Sequence, residues 1–442
     1  VTLKSRGLIL GDPGFRRLWI GESASQLGSQ VSLLAVPLTA VVTLHAGTVQ
    51  VGLLTAAEYA AFLLLGLPAG AWVDRRRRRP VMVGGNLARA ALLASVPVAA
   101  GLHVLSLPQL YAVAFATGVG TLLFEVAYHS YLPSLVGRAK LIEGNSRLEA
   151  SRSTAHAIGP AVAGYLVGLL TAPVALLVDA TSFVWSAYWI GLIRQREPEP
   201  APEEQRELGR EITAGLSLVF GNPIIRALAL YGASSVFFLA LGRAVGVVFL
   251  ARTLHLSAIA IGVLNSVSGI GAVLGALLAG PLARRFGQRL TIVAVPVLSN
   301  GFLLLLPLAG PGARLLWYVL GTAVTSCAIV TFNVAAVAFR QALCPDRLLG
   351  RLTATLRFLT WGMFPAGALV GGILGGLIGP RRTLWLGAAG FLLSVLWLVR
   401  SDDRSGPARP ARRSDPERSP LPQRPAQVPG QVAPVDHGDR VD

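Results

Sequence analysis

Six ionisable side chains interrupt long apolar stretches of this chain: Glu22, Glu58, Arg89, Glu125, Asp179 and Arg243. A charge placed inside a bilayer-length apolar run is expensive, so each of the six is a functional candidate by default. The chemistry open to them is proton uptake and release, and attraction of a solute of opposite charge. All four acids fall in the first half of the chain, and the only acid among the later spans, Asp346, falls in a loop. If carboxylates couple protons here, the first half must do it.

The stretches that carry these groups are the dominant feature of the sequence. The chain has 442 residues, 53% of them hydrophobic and only 14% charged, with a mean hydropathy of +0.60. A soluble domain of this size carries about 25% charged residues. Apolar runs of about 20 residues cross a bilayer core, and in lipid such runs must close their own backbone hydrogen bonds as helices. Sustained period-two alternation, the mark of barrel strands, is missing. The runs place spans near 17–44, 49–73, 81–102, 107–132, 151–171, 174–193, 221–251, 259–283, 289–309, 313–340, 353–378 and 381–400. The fold class expected is therefore an all-α membrane protein of twelve transmembrane helices in two six-helix bundles.

The net charge of +17 would suit a nucleic-acid partner, but its placement argues against one. Thirty-two Lys and Arg residues fall on one side of the predicted spans and only Arg252, Arg314, Arg381 and Arg382 on the other. By the positive-inside rule the rich side is cytoplasmic, and both termini lie on it. The balance of 37 Arg to two Lys, with abundant Ala, Gly and Pro, points to a GC-rich bacterial genome, Val1 reading as a literal GTG start. The inner membrane is then the expected location. No cleavable signal is expected at the N-terminus. Cys327 and Cys344 have no metal-ligand spacing and no disulfide is expected of them.

Polar composition breaks the chain once. The Pro- and Glu-rich segment from Arg196 to Glu211 separates six spans from six, which predicts a first bundle over 1–195, a cytoplasmic loop over 196–218, a second bundle over 219–400 and a disordered tail over 401–442. An internal echo supports the division: GAWVDRRRRRP (Gly70 to Pro80) follows the second span and GPLARRFGQRL (Gly280 to Leu290) the eighth. Repeated halves with a site at their interface are a transporter architecture.

Helical spacing sorts the polar residues onto faces. Glu22, Ser25, Gln26 and Ser29 share a face of the first span; Thr117, Thr121, Glu125, Tyr128 and His129 line the fourth; Ser235 and Arg243 the seventh; Thr322, Ser326 and Asn333 the tenth. Such stripes suit a central cavity, the competing reading being interhelical hydrogen bonds that only pack the bundle. At about 1.5 Å of rise per residue, Glu22, Arg89 and Glu125 reach similar depth from the cytoplasmic ends of their spans and are expected to form one cluster, with Arg89 in a buried ion pair. Burial and a neighbouring cation act on a carboxyl group in opposite senses, so protonation there can be switched by conformation. Glu125 reads equally as proton carrier or latch, and Glu58 as proton or substrate group or hydrogen-bonded structural acid. Asp179 reads as structural; so do the histidines His129 and His156, the alternative for both being a proton relay. Arg243 is expected to snorkel to outside water, the alternative being to attract an anionic group.

Gly70-x-x-x-Asp74-Arg75 with Arg78 and Arg79 resembles the signature loop of the major facilitator superfamily, at its expected place between the second and third spans. Arg77 stands where that signature usually has Gly, and in the second copy Arg284 replaces the acid, so only the first can form an Asp-centred latch. Gly159, Pro160 and Gly164 in AIGPAVAG resemble a shortened form of the superfamily's antiporter motif. FRRLW (Phe15 to Trp19), SQLGS (Ser25 to Ser29), EVAYHSYLPSLV (Glu125 to Val136) and GRLTATLRF (Gly350 to Phe358) are similar to its exporter branch, which includes enterobactin exporters and macrolide efflux permeases. The resemblance spans residues 15–400 and implies proton-driven export of a small amphiphilic compound. It implies no cofactor beyond the proton gradient, and a monomer whose partners are the substrate and the bilayer. The run from Arg75 to Arg79 also suits anionic lipid headgroups. ATP drive is excluded within this chain, because Lys4 and Lys140 stand in no phosphate-binding loop. No nucleophile–base pair or metal cluster suggests an enzyme. Uptake, or a receptor or assembly role on the same fold, remains the alternative.

Overall fold

The structure, a computed structural model, describes residues 11–404 apart from 138–139, 196, 198–212, 214–215, 218 and 344–345. Most of the central loop predicted above, and the tail beyond Arg404, therefore lie outside the described residues, as does Cys344. Among the described residues, twelve helices are long and apolar enough to cross a membrane. In the first half α1 is Pro13–Leu38, α2 Thr48–Asp74, α3 Arg78–Gly101, α4 Leu107–Val136, α5 Leu141–Leu170 and α6 Ala172–Gly191. In the second, α7 is Pro223–Val248, α8 Ala258–Phe286 and α9 Gln288–Ser299, which continues as a tighter helix over Asn300–Leu308. Helix α10 is Leu315–Leu343, α11 is Asp346–Trp361 and Met363–Ile378, broken at Gly362, and α12 is Pro380–Leu393 continued by Leu396–Arg404.

Two helices begin far ahead of their apolar runs. Helix α5 starts at Leu141 rather than 151, and α11 at Asp346 rather than 353. Their first turns, LIEGNSRLEA and DRLLGRL, are amphipathic, so hydropathy alone misses them although each has an apolar face to pack. Starts are otherwise chemically legible. Asp12 accepts from the amides of Gly14 and Phe15 at 2.8 and 3.0 Å, and Asn222 from those of Ile224 and Ile225, each with proline at the first helical position.

The halves repeat in detail. Helix α1 ends in a π turn over Thr39–Thr43 and α7 in one over Phe249–Thr253. Each turn closes on the tripeptide Thr-Leu-His, whose threonine is the last residue of the turn and whose histidine is His45 or His255. Both histidines take a left-handed backbone, with φ of 51° and 53°. The wide bonds match as well: Leu44 N–H to Thr39 O at 3.1 Å, and Leu254 N–H to Phe249 O at 3.0 Å.

The halves meet along two seams, α5 against α8 and α2 against α11. Glycines allow the backbones to touch. A Cβ on Gly262 would stand 2.7 Å from Gly164 Cα, and a Cβ on Gly52 would stand 2.6 Å from Gly372 Cα, closer than side-chain carbons pack. The largest apolar cluster draws on both halves: Val31, Leu34, Leu38 and Val51 from one, Val248, Phe249, Leu250 and Ile261 from the other. It sits toward the face opposite the Arg75–Arg79 run. There Arg252 Nη2 also donates to Val41 O at 2.9 Å across the halves. Toward the arginine-rich face, the apolar clusters among the described residues each belong to one half. Among the described residues, the halves therefore share an apolar core on the face opposite the arginine run and none toward it, which leaves the polar groups between them on the arginine-rich side of that core.

Candidate functional site: the cavity between the halves

Arg243 projects from α7 toward this space, away from lipid. The opposite faces of α7 are occupied: Phe237 and Leu241 lie against Gly367 and Gly371 of α11, while Ser235 pairs with Ser394 of α12 at 2.9 Å. Arg243 is within electrostatic reach of Glu58 and Tyr59 on α2, His156 on α5 and Tyr318 on α10. This corrects the expectation that Arg243 snorkels to outside water: the helix rotation that seats Phe237 and Leu241 on α11 turns it inward. Glu58 and Arg243 make no mutual ion pair among the described residues, so a carboxylate of one half faces a guanidinium of the other across a gap.

Aromatic rings stand beside that gap. Tyr59 lies with its ring 4.1 Å from that of Phe364 and stacked at 6.4 Å on Trp361. Tyr59, Tyr318 and Trp361 were not picked out by polarity, although Tyr59 adjoins Glu58 and Tyr318 stands one turn before Thr322, whose hydroxyl bonds back to its carbonyl.

The cluster around Arg89 is real but is not an ion pair. Arg89 is 4% exposed. Its Nη1 donates to Thr121 Oγ1 at 3.2 Å and its Nη2 donates to Asn86 Oδ1, while Asn86 Nδ2 donates to Ser186 Oγ at 2.9 Å. The guanidinium lies 4.0 Å from the Phe183 ring centre and 4.9 Å from that of Phe124. Glu22, Asp179 and Glu125 all surround it electrostatically without touching it. Neutral acceptors and two aromatic faces thus hold the cation, leaving the three acids without a direct guanidinium contact.

Of those acids, Asp179 is held by serines. It is 1% exposed and accepts from Ser32 Oγ at 2.5 Å, from Ser182 Oγ at 3.1 Å and from Ser29. Glu22 differs. Its Oε1 accepts from Gln26 Nε2 at 2.6 Å, but its Oε2 is buried with no hydrogen-bond partner among the described residues. A buried carboxyl oxygen left unsatisfied is costly, which marks Glu22 as poised rather than settled. Glu125 is half-buried, one turn from His129, which also senses Arg152 of α5 and Arg357 of α11.

Several stripe residues serve packing. Ser25 is buried and, like Ser29, belongs to the α1–α6 contact where Gly21 and Gly28 meet Ser186, Ser182 and Asp179. Thr121 is turned to Arg89. Ser235 is turned to α12, and Ser326 bonds Ser268 of α8 at 2.8 Å. Each points to a neighbour because small hydroxyls satisfy themselves on adjacent helices. Tyr128 stacks on Phe124 with centres 6.0 Å apart. His129 and Asn333 are exposed.

The Gly-Pro segment is part of a seam. Pro160 lacks an amide hydrogen, which frees the His156 carbonyl from the helix ladder. Gly269 of α8 packs against that carbonyl, Ala161 N–H donates to Ser266 Oγ at 2.8 Å, and Gly159 packs on Gln30 of α1. In the signature loop the side chain of Asp74 lies outside the described residues, and Gly70 meets no neighbour where a Cβ would stand. The acid that engages the loop here is Glu197, which the sequence reading missed. Its two oxygens accept from the amides of Arg78 and Arg79 at 2.6 and 2.7 Å, capping α3, and Arg79 Nη2 donates to Gly191 O. The signal was present, since Arg77 at the N-cap cannot itself cap a helix. Glu197→Ala is expected to destabilise the protein by about 1 kcal/mol through the lost cap, read as a lower apparent Tm in detergent. Glu197→Asp should restore part of the loss, and equal melting of all three proteins would reject the cap.

Twelve helices among the described residues, in two repeated six-helix halves that share an apolar core on one face and carry polar groups between them, have the architecture of a transporter of the major facilitator type. The chain belongs to the transmembrane secretion effector family of such transporters, whose family model matches residues 10–425. These proteins are transporters and not enzymes. Among its relatives are the multidrug efflux pump Tap of Mycolicibacterium fortuitum, 25% identical over 80% of this chain and 88% of Tap, and the enterobactin exporter EntS of Citrobacter koseri, 26% identical over 90% and 94%. Macrolide efflux protein A of Streptococcus pyogenes is 21% identical over 87% and 94%. Among solved structures, a bacterial homologue of the iron transporter ferroportin in its inward-facing state matches with a TM-score of 0.72 at 17% identity, covering 88% of this chain and 99% of that one. The nucleoside transporter NupG matches with 0.69 at 14%, over the same shares.

Proposed function

We propose that this protein exports a small amphiphilic compound across the bacterial cytoplasmic membrane by alternating access, in exchange for protons. The observation that carries the reading is the cavity itself. A carboxylate, a guanidinium and an aromatic group face one another between two halves whose described residues share an apolar core on one face only. A solute with an apolar body and a weakly charged group fits such a lining. Rocking the halves about the α5–α8 and α2–α11 seams would expose the same groups to the other side. The efflux activities named for the similar proteins support the outward direction. Buried acids confined to the first half support proton coupling there. The excess of Lys and Arg on the arginine-rich side supports a cytoplasmic position for that side and for both described ends.

Purified protein in liposomes, given an imposed pH gradient, tests the class directly with a labelled macrolide and a lipophilic fluorescent dye as probes. Gradient-dependent movement of either probe against the proton flow supports antiport. Movement with the proton flow favours uptake, and no movement of any probe favours a receptor or assembly role. Orientation has its own test. A cysteine at Glu204 in an otherwise cysteine-free chain is expected to resist an impermeant thiol reagent in intact cells and to react after permeabilisation. Rapid labelling in intact cells would reverse the assignment of sides.

A further inference from the structure

Away from the central cavity, a groove of 730 Å³ runs down the outer surface of the first half between the end of α2 and the helices α3 and α4. Its floor is built of small residues, Gly84, Gly85 and Ala88 of α3 with Gly120 of α4. Its walls are apolar. At its mouth stand Trp72, Arg76 and Arg77, with the Arg76 guanidinium 4.7 Å from the Trp72 ring centre. The lining runs along α3 from Pro80 to Leu92. At 1.5 Å per residue that is about 18 Å, close to half of a bilayer core about 30 Å thick. The groove is thus as deep as one leaflet's acyl layer, and its cationic end lies at the depth of the headgroups of the arginine-rich face.

We propose that this groove is a binding site for one anionic phospholipid, its acyl chain on the glycine floor and its phosphate at Arg76 and Arg77. The commitment to an anionic lipid follows from the two ends together. The floor accepts an alkyl chain of leaflet length, and the mouth offers two cations with an aromatic ring at the interface, where tryptophan settles. No carboxylate among the described residues lines it. Occupancy would tie the loop between α2 and α3 to the composition of that leaflet.

The test uses the full chain in phosphatidylcholine vesicles. In one set the phosphatidylcholine is brominated on its acyl chains, and in the other brominated phosphatidylglycerol is added at the same mole fraction. The Trp72 signal is the emission lost in Trp72→Phe. Brominated phosphatidylglycerol is expected to quench it more strongly than brominated phosphatidylcholine. Near a membrane surface each arginine strengthens the attraction to anionic lipid by a factor of about five, so the preference should vanish in Arg76→Gln/Arg77→Gln. Gly84→Leu fills the groove without touching the arginines, because a Cβ there meets nothing within 4 Å. It should reduce quenching by both lipids while the protein still folds and inserts. Equal quenching by the two lipids in the unaltered chain, a preference that survives loss of both arginines, or quenching unaffected by Gly84→Leu would each overturn the site.

Discussion

Liposomes carrying Glu22→Gln are expected to show pH-gradient-driven flux no greater than protein-free liposomes, while still binding substrate and still exchanging it by counterflow. The amide keeps the shape of the side chain and its contact with Gln26, but it cannot take up or release a proton. Glu22 is the strongest carrier candidate because it alone of the three acids around Arg89 combines burial with an oxygen that no group satisfies. Asp179 is held by serines, and Glu125 is half-buried beside His129. Glu125→Gln should therefore slow driven flux without abolishing it. Counterflow separates this account from simple misfolding, since it needs the substrate path and the rocking motion but no net proton movement. Full driven transport in Glu22→Gln, Glu125→Gln and the double variant together would move coupling to Glu58 or Asp74.

The second large effect is expected at a seam. Gly262→Leu places a side chain against the backbone of α5, where a Cβ alone would stand 2.7 Å from Gly164 Cα. Overpacking of this kind costs about 1–3 kcal/mol. The cost falls only on the conformation in which α5 and α8 touch, because the seam parts when the cavity opens to the other side. Since 1.4 kcal/mol is tenfold in population, the variant should shift the equilibrium by about one to two orders of magnitude toward the state sealed on the arginine-rich side. Transport should fall with it. Spin labels at Val42 and Thr253, near the ends of α1 and α7 beside the shared core, would report a longer mean distance in the variant. Gly262→Ala should move the same way by less. An unchanged distance distribution with normal transport would show that the seam does not part.

Span number and the repeated halves were legible in the sequence because bilayer-length apolar runs leave few alternatives. The candidate site was legible by type but not by direction. A stripe such as Glu22, Ser25, Gln26 and Ser29 has a face, yet spacing cannot say which neighbour that face meets. Half of it turned out to serve Asp179 and α6. Arg243 was misjudged for a related reason: depth along a helix is readable from residue counts, but rotation about its axis is fixed by Phe237 and Leu241 packing on α11. Glu197 escaped because it comes from a polar segment with no periodicity, and only the missing cap at Arg77 hinted at a distant acid. Arg89 looked like half of an ion pair because charge is conspicuous in a sequence, whereas the neutral Asn86, Thr121 and two rings that hold it are not.

The π turns and their left-handed histidines carry a consequence for the history of the molecule. His45 and His255 are 210 positions apart, the same offset separates Gly70 from Gly280, and Gly262 stands 210 positions after Gly52. Gly52 and Gly262 are therefore equivalent positions, one in each seam, and each meets a glycine of the helix paired with it: Gly372 for the first, Gly164 for the second. The two seams are one contact made twice. That reciprocity is the property of an isologous dimer, in which the same patch on each subunit faces the other's counterpart. It is the imprint that tandem duplication of a self-pairing six-helix unit would leave. In this chain the buried acids lie in one half and the opposing Arg243 in the other, a division of labour that two identical subunits could not have.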